Sequence, residues 1–132
     1  MSTHSLIIVK TSPRTYTSSY INWNGVSNRE VLEKHYNSDV LAKELLSFGD
    51  ISELREKLHP TGKHTFEEPE KGVCLFYHRD RKDRKNPQKK GSIKSIMDYY
   101  SGAFIRYVFV WDGQRWNTFS VSEKDDVSLT PM

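Results

Sequence analysis

The chain opens with β-favouring residues in two runs that predict a hairpin. Residues 6–9 (Leu-Ile-Ile-Val) form a short apolar run. Thr11, Ser12 and Pro13 end this run, because proline cannot donate a hydrogen bond to a strand ladder. Residues 15–21 then resume with threonine, tyrosine and isoleucine, which favour strands. We therefore predict two antiparallel strands before residue 22.

Three apolar stripes with helical spacing follow this hairpin. The first lies within residues 28–36, and the second within residues 39–48, where Gly49 occupies the position of a left-handed C-cap. Asp50 is predicted to cap a third short helix with apolar residues at positions 51, 54 and 58. The pattern thus predicts two or three helices, ending at Pro60.

A second hairpin is the clearest signal in the last third of the chain. An apolar run at residues 103–111 leads into Asp112 and Gly113, and residues 115–121 return as the partner strand. Asp-Gly is the dipeptide typical of type I′ hairpin turns. We therefore place the hairpin turn at this dipeptide.

The remaining elements complete an α+β fold. A strand is predicted at residues 72–78 and a helix at residues 93–100. With the two hairpins this makes an antiparallel sheet of about five strands, with two or three helices inserted after the N-terminal hairpin and packed on one face. At 132 residues the chain suits a single domain, predicted at residues 1–121, with a polar C-terminal tail at 122–132.

Positive charge is concentrated in residues 78–95, called the basic segment below. The segment carries eight basic and two acidic side chains, a net charge of +6, whereas the whole chain carries +3. Asn86, Pro87 and Gly91 interrupt it, so we expect a projecting loop that attracts polyanions or acidic protein surfaces. Its basic residues are Arg79, Arg81, Lys82, Arg84, Lys85, Lys89, Lys90 and Lys94.

Aromatic residues flank the basic segment. Tyr77 precedes it, Tyr99 and Tyr100 follow it, and Arg106 lies in the next apolar run. Such an arrangement suits the stacking of a base beside cations. The segment is also consistent with contacts to phosphates of DNA or RNA, with contacts to a host protein, or with a solvated loop that binds nothing. The sequence leaves these alternatives open.

No catalytic or metal-binding pattern accompanies the basic segment. His78, Arg79 and Asp80 copy three letters of the protein kinase catalytic loop, but Asn86 lies one position too far along and no glycine-rich phosphate loop is present. The five histidines show no helical i, i+4 pair, and the single cysteine, Cys74, is expected to be a buried, inert thiol. We therefore predict a non-enzymatic protein without a metal or other cofactor.

Four short motifs occur in order along the chain. They are Trp-Asn-Gly at 23–25, Val-Leu-Glu-Lys-His-Tyr at 31–36, Leu-Leu-Ser-Phe-Gly-Asp-Ile-Ser-Glu-Leu at 45–54 and Tyr-His-Arg-Asp-Arg at 77–81. Over about residues 6–118, this series resembles a family of small proteins encoded by bacteriophages and prophages. Asn24 replaces the aspartate usual in that family, and the segment after Arg81 is longer and more basic.

The resemblance implies a biological context and no reaction. Small phage proteins without catalytic residues are often accessory factors that bind and block a host component. Counter-defence is the leading version, for example occlusion of the nucleic-acid channel of a CRISPR effector or another nuclease. Alternatives are a nucleic-acid-binding protein and a sponge that sequesters a nucleotide immune signal. No apolar run reaches the ~20 residues of a membrane-spanning helix, so we expect a soluble protein in the cytoplasm of the bacterial host.

Overall fold

A mixed β-sheet forms the framework of the protein. The computed structural model describes residues 3–122 and 128–132. Within these residues the strands are β1 (Ser5–Ser12), β2 (Thr15–Ile21), β3 (Ile51–Glu53), β4 (Leu75–Phe76), β5 (Lys90–Gly91), β6 (Tyr107–Trp111), β7 (Trp116–Ser122) and β8 (Ser128–Pro131). The strand order is β4-β3-β2-β1-β6-β7-β8, and β5 pairs with β2. The α+β class is confirmed. The predicted antiparallel sheet of about five strands is wrong, because the described residues form eight strands and two of the pairings are parallel.

Two parallel pairs interrupt the antiparallel pattern. In the centre, β1 pairs with β6 in parallel, with Ser5 opposite Tyr107. Further out, β2 pairs in parallel with β3 at Ile21 and Ile51. The apolar run of β1 fits its central place, since all four side chains at residues 6–9 are fully buried, as expected for a strand covered on both faces.

Helices cover both faces of this sheet. They are α1 (Asn28–His35), α2 (Asp39–Ser47), α3 (Tyr77–Arg81) and α4 (Ile93–Tyr99), within the part of the chain described here. Ile7 and Val9 of β1 belong to a buried cluster with residues of α1 and α2, whereas Leu6 and Ile8 belong to a second cluster with Ile96 of α4. Side chains alternate across a strand, so β1 supplies both cores. The helices inserted after the N-terminal hairpin, α1 and α2, pack on one face as predicted, whereas α4, which comes later in the chain, covers the other face.

The predicted third helix is replaced by strand β3. Ile51 is fully buried and pairs with Ile21 on one side and Phe76 on the other. Leu54 and Leu58 pack in the same core cluster as Ile51, although no helix joins them. The apolar spacing correctly predicted which of these residues are buried. The backbone conformation, however, is decided by pairing with strands that are distant in sequence.

Other boundaries shift where local geometry differs from the sequence pattern. The strand predicted at residues 72–78 is limited to Leu75–Phe76, and α3 follows at once. In the second hairpin Asp112 N–H donates to Arg115 O at 3.2 Å. The central turn residues are therefore Gly113 and Gln114, with Gly113 at φ +101° in the first central position, which type II′ turns give to glycine.

The C-terminal prediction also changes. Residues 128–131 were predicted to lie in a loose tail, but they form β8, antiparallel to β7. The part of that prediction that falls on residues 123–127 lies outside the described residues. Among those that are described, no helix combines the length and the apolar character needed to cross a membrane.

Candidate functional site

Side-chain hydrogen bonds hold the basic segment against the body of the protein. Gln88 Nε2 donates to Ser19 Oγ and to Leu46 O, both at 2.7 Å. Lys85 Nζ donates to Ser47 O at 2.6 Å. The segment therefore does not project freely, and that prediction is wrong.

A strand edge explains why the segment folds back. β3 pairs with β2 only at Ile21, which leaves the earlier residues of β2 with an open edge. β5 fills this edge, with Gly91 opposite Tyr16 and Lys90 opposite Thr17. Covering an edge strand satisfies its backbone groups and prevents pairing with other chains.

Arg79 turns into the protein and is part of the fold. Its guanidinium donates to Leu58 O at 2.7 Å and to Cys74 O at 3.0 Å. The guanidinium carbon also lies 5.2 Å and 4.8 Å from the ring centroids of Phe48 and Phe76. The hydrogen-bond donors of Arg79 are thus occupied by the protein itself. These contacts do not support the sequence-based prediction that Arg79 binds a ligand.

Asp80 is the buried partner of Arg79. Its carboxylate accepts from Arg79 Nε at 2.8 Å and from Phe76 N–H at 2.8 Å. Burial acts to raise the pKa of Asp80, but these hydrogen bonds and the charge of Arg79 outweigh it, and the pKa lies below its usual value. His64 Nε2 lies 3.4 Å from this carboxylate, while His64 Nδ1 accepts from Glu70 N–H at 2.9 Å.

Both ring nitrogens of His64 face other groups of the protein. Because Nδ1 accepts a backbone hydrogen, the proton of the neutral ring is on Nε2, which faces Asp80. His64 is thus hydrogen-bonded within its own loop through Nδ1, while Nε2 is buried against Asp80 of α3 without a hydrogen bond. No pattern in the sequence predicts this contact, since His64 lies in a loop without periodicity.

The other basic residues divide into paired and unpaired groups. Arg81 binds Asp83 with a shortest distance of 2.6 Å, and Lys94 lies 3.6 Å from Asp98. These two cations are partly neutralised by carboxylates close in sequence. The basic residues of the segment without a carboxylate partner in residues 3–122 and 128–132 are Lys82, Arg84, Lys85, Lys89 and Lys90.

The flanking aromatic residues lie in different surroundings. Lys89 Nζ is 5.5 Å from the ring centroid of Tyr99, whose exposed fraction is 62%. Tyr100 packs edge-on against Tyr99 at 5.0 Å, and burial raises the pKa of its phenol. Arg106 lines a separate cavity of about 610 Å³ beside Phe104. Lys89 and Tyr99 are thus brought together, whereas Arg106 lines none of the cleft beside the basic segment.

That cleft, called the basic cleft below, has a volume of about 410 Å³. Tyr20 and Asp50 form one side, and Tyr77 with Arg81 of α3 forms another. The guanidinium of Arg81 lies 4.7 Å from the ring centroid of Tyr77. The cleft is completed by basic-segment residues, including Arg84 and Lys85. Sequence analysis missed Tyr20 and Asp50, which lie far from the segment along the chain.

The described residues contain no set of side chains suited to bind a metal ion. No group of three or more His, Cys, Asp or Glu side chains there is arranged to hold a metal ion. Cys74 is fully buried, as predicted, and its thiol lies 3.2 Å from the hydroxyl of Tyr36. Burial raises the pKa of this thiol, which keeps it protonated and a poor nucleophile.

Releasing the basic segment should increase its local opening. In Gln88→Ala we expect amide hydrogen exchange of residues 85–91 to accelerate roughly tenfold or more, because two hydrogen bonds of about 1 kcal/mol each are lost. Exchange measured by mass spectrometry checks this. Gln114→Ala, an exposed glutamine in the β6–β7 turn, is the control and should leave these rates unchanged. Equal rates in both variants would contradict the anchoring role.

The basic segment is the region where unpaired cations, exposed aromatic rings and a cleft occur together. Its charge was predicted from sequence, and its attachment to β2 and α2 was found only in the structure. Comparison of the chain with protein-family models, with curated proteins and with solved structures finds no match.

Proposed function

We propose that this protein is a non-enzymatic inhibitor that binds an acidic surface of a host protein through the basic segment. One observation supports this most directly. Five cations without a carboxylate partner among the described residues lie on a backbone that is fixed to the rest of the protein. Because ion pairs within the protein do not neutralise these five cations, their positive charge is free to attract a partner.

Attachment of the segment favours binding in two ways. A fixed backbone has less conformational entropy to lose on association than a mobile loop. Clustered charge of one sign also accelerates encounter with an acidic surface and excludes basic ones. The entropic effect is larger here than for the free loop expected from sequence.

The resemblance to phage proteins suggests the class of partner. A phage accessory factor meets host defence proteins. Docking on an acidic surface next to the nucleic-acid channel of a nuclease or CRISPR effector would let the body of this protein obstruct the channel, which is itself basic. Inhibition by occlusion needs no catalytic residue. This agrees with the commitment of His64, Asp80 and Cys74 to contacts within the fold.

Charge reversal tests this proposal. In the triple variant Lys82→Glu, Lys89→Glu, Lys90→Glu we expect affinity for the host protein to fall at least 100-fold, with a melting temperature close to that of the original protein. Tagged protein is used to capture the partner from nuclease-treated host lysate, the partner is identified by mass spectrometry, and affinity and inhibition are then measured with purified components.

The control variant changes net charge by the same amount elsewhere. Arg14, Lys71 and Arg115 are exposed, form no ion pair within the described part of the chain and lie outside the basic segment, so their reversal to glutamate should preserve binding. Full binding by the basic-segment variant, or equal losses in both triples, would overturn the proposal.

Direct nucleic-acid binding is the second candidate. It is favoured by the contact between Lys89 and the exposed ring of Tyr99, because cation and aromatic side chains together hold single-stranded bases. This function predicts capture that disappears after nuclease treatment. It also predicts affinity for plain DNA or RNA that falls linearly with the logarithm of salt concentration.

A further inference from the structure

We propose that the basic cleft binds the phosphate groups of a nucleoside phosphate. This goes beyond the proposed function, because it concerns a small ligand and a concave site, whereas the partner surface uses outward cations. The volume of about 410 Å³ is within the range of small-molecule sites. Residues from β2, the α2–β3 turn, α3 and the basic segment surround it.

The carboxylates of the cleft are already engaged by the protein. Asp83 accepts from Arg81 Nε at 3.0 Å and from Arg81 Nη2 at 2.6 Å. Asp50 accepts from Tyr20 N–H at 3.1 Å and from Asn86 Nδ2 at 3.2 Å. Hydrogen bonds thus already engage both carboxylates. These two negative charges reduce the positive charge of Arg81, Arg84 and Lys85 but do not cancel it.

Hydrogen-bond donors of the cleft remain free. The hydroxyls of Tyr20 and Tyr77 have no hydrogen-bond partner among residues 3–122 and 128–132. Burial, together with the nearby Tyr77 and Asp50, raises the pKa of Tyr20 to about 12, so its hydroxyl keeps its proton at neutral pH. Arg84 adds a guanidinium without a carboxylate partner in the same described set. A site with an excess of free donors and positive charge selects an anion rich in acceptors, which phosphate is.

The shape of the cleft favours a nucleoside phosphate over a simple anion. A single phosphate is much smaller than the cleft. Tyr20 and Tyr77 both line the cleft, and stacking of a base on an aromatic side chain is worth about 1–3 kcal/mol. The guanidinium of Arg81 is held in place beside the adjacent rings of Tyr77 and Phe66, whose centroids are 4.7 and 5.0 Å away, and by Asp83. A fixed guanidinium loses little entropy when it binds phosphate.

Calorimetric titration with ADP tests the proposal, with AMP, adenosine and inorganic phosphate as comparison ligands. We expect ADP to bind at least tenfold more tightly than inorganic phosphate, and adenosine to give no measurable heat. Tyr20→Phe combined with Tyr77→Phe should weaken ADP binding at least tenfold, because two hydrogen bonds are lost without any change of charge. Arg84→Gln should weaken it by a similar factor.

Matched variants separate the cleft from the rest of the basic segment. Tyr99→Phe and Lys90→Gln lie outside the residues that line the cleft and should leave ADP affinity unchanged. No heat with ADP at millimolar concentration would overturn the proposal. So would equal affinities for ADP and inorganic phosphate, or full ADP binding by the double tyrosine variant with its melting temperature preserved.

The two proposals fail independently. The double tyrosine variant keeps every charge of the basic segment, so it should still bind the host protein even if ADP binding is lost. The triple variant at Lys82, Lys89 and Lys90 leaves the cleft lining intact, so it should still bind ADP at low ionic strength within about threefold of the original affinity.

Discussion

Arg79→Met is expected to lower the free energy of unfolding by about 3–5 kcal/mol, because removing one partner of a buried ion pair leaves the other charge without compensation. The side chain of Asp80 is 4% exposed. Two carbonyls that accept from Arg79, those of Leu58 and Cys74, would also lose their donor. Denaturation by urea, followed by circular dichroism, measures the change.

Arg81→Met is the matched control two residues away. Arg81 and Asp83 are 46% and 37% exposed, respectively, and exposed ion pairs contribute at most about 1 kcal/mol. We therefore expect a change below about 1 kcal/mol in this variant. Similar losses of unfolding free energy in the two variants would contradict a structural role for Arg79. Arg79 would then again be a candidate for ligand binding.

Trp116→Ala is expected to destabilise the protein by about 3–5 kcal/mol, which is usual when a buried tryptophan is truncated. Trp116 is 6% exposed, lies 5.5 Å from Trp111 between ring centroids, and donates from Nε1 to Tyr36 O at 3.0 Å. The substitution leaves a cavity between β7 and the end of α1 and removes the donor from a buried carbonyl. The midpoint of urea denaturation measures this loss.

Trp23→Ala provides the comparison with the same residue type. Its side chain is 38% exposed and follows β2 at the surface, so we expect a loss of about 1 kcal/mol or less. The informative quantity is the difference between the losses in unfolding free energy caused by Trp116→Ala and Trp23→Ala. A loss at Trp116 as small as that expected at Trp23 would mean that the burial of the second hairpin adds little to stability.

Local patterns predicted the elements whose contacts are close in sequence. The continuous apolar run of β1, the β-favouring residues of β2 and the apolar spacing of α1, α2 and α4 are all visible within short stretches of the sequence. Gly49, expected as a left-handed C-cap, has φ +84°. The pattern failed at residues 51–53, because strand and helix both bury Ile51, and only the distant partners Ile21 and Phe76 decide between them.

The candidate site was predictable in charge but not in geometry. Counting basic residues located the basic segment correctly along the chain. The inward turn of Arg79 depends on Phe48, Phe76 and Leu58, which come from three separate parts of the sequence. Nothing in the segment itself distinguishes Arg79 from its neighbours. Likewise, Tyr20 enters the basic cleft only because β5 folds the segment onto β2.

The parallel pairing of β1 with β6 has a consequence for the order of folding. Ser5 lies opposite Tyr107, so the central ladder cannot close until the ribosome has released most of the chain. Contacts so distant in sequence slow folding, because the chain loses the entropy of closing a long loop before the stabilising contacts form. Until then the hydrophobic β1–β2 hairpin has one uncovered edge, and we expect nascent chains to need shielding from aggregation during synthesis.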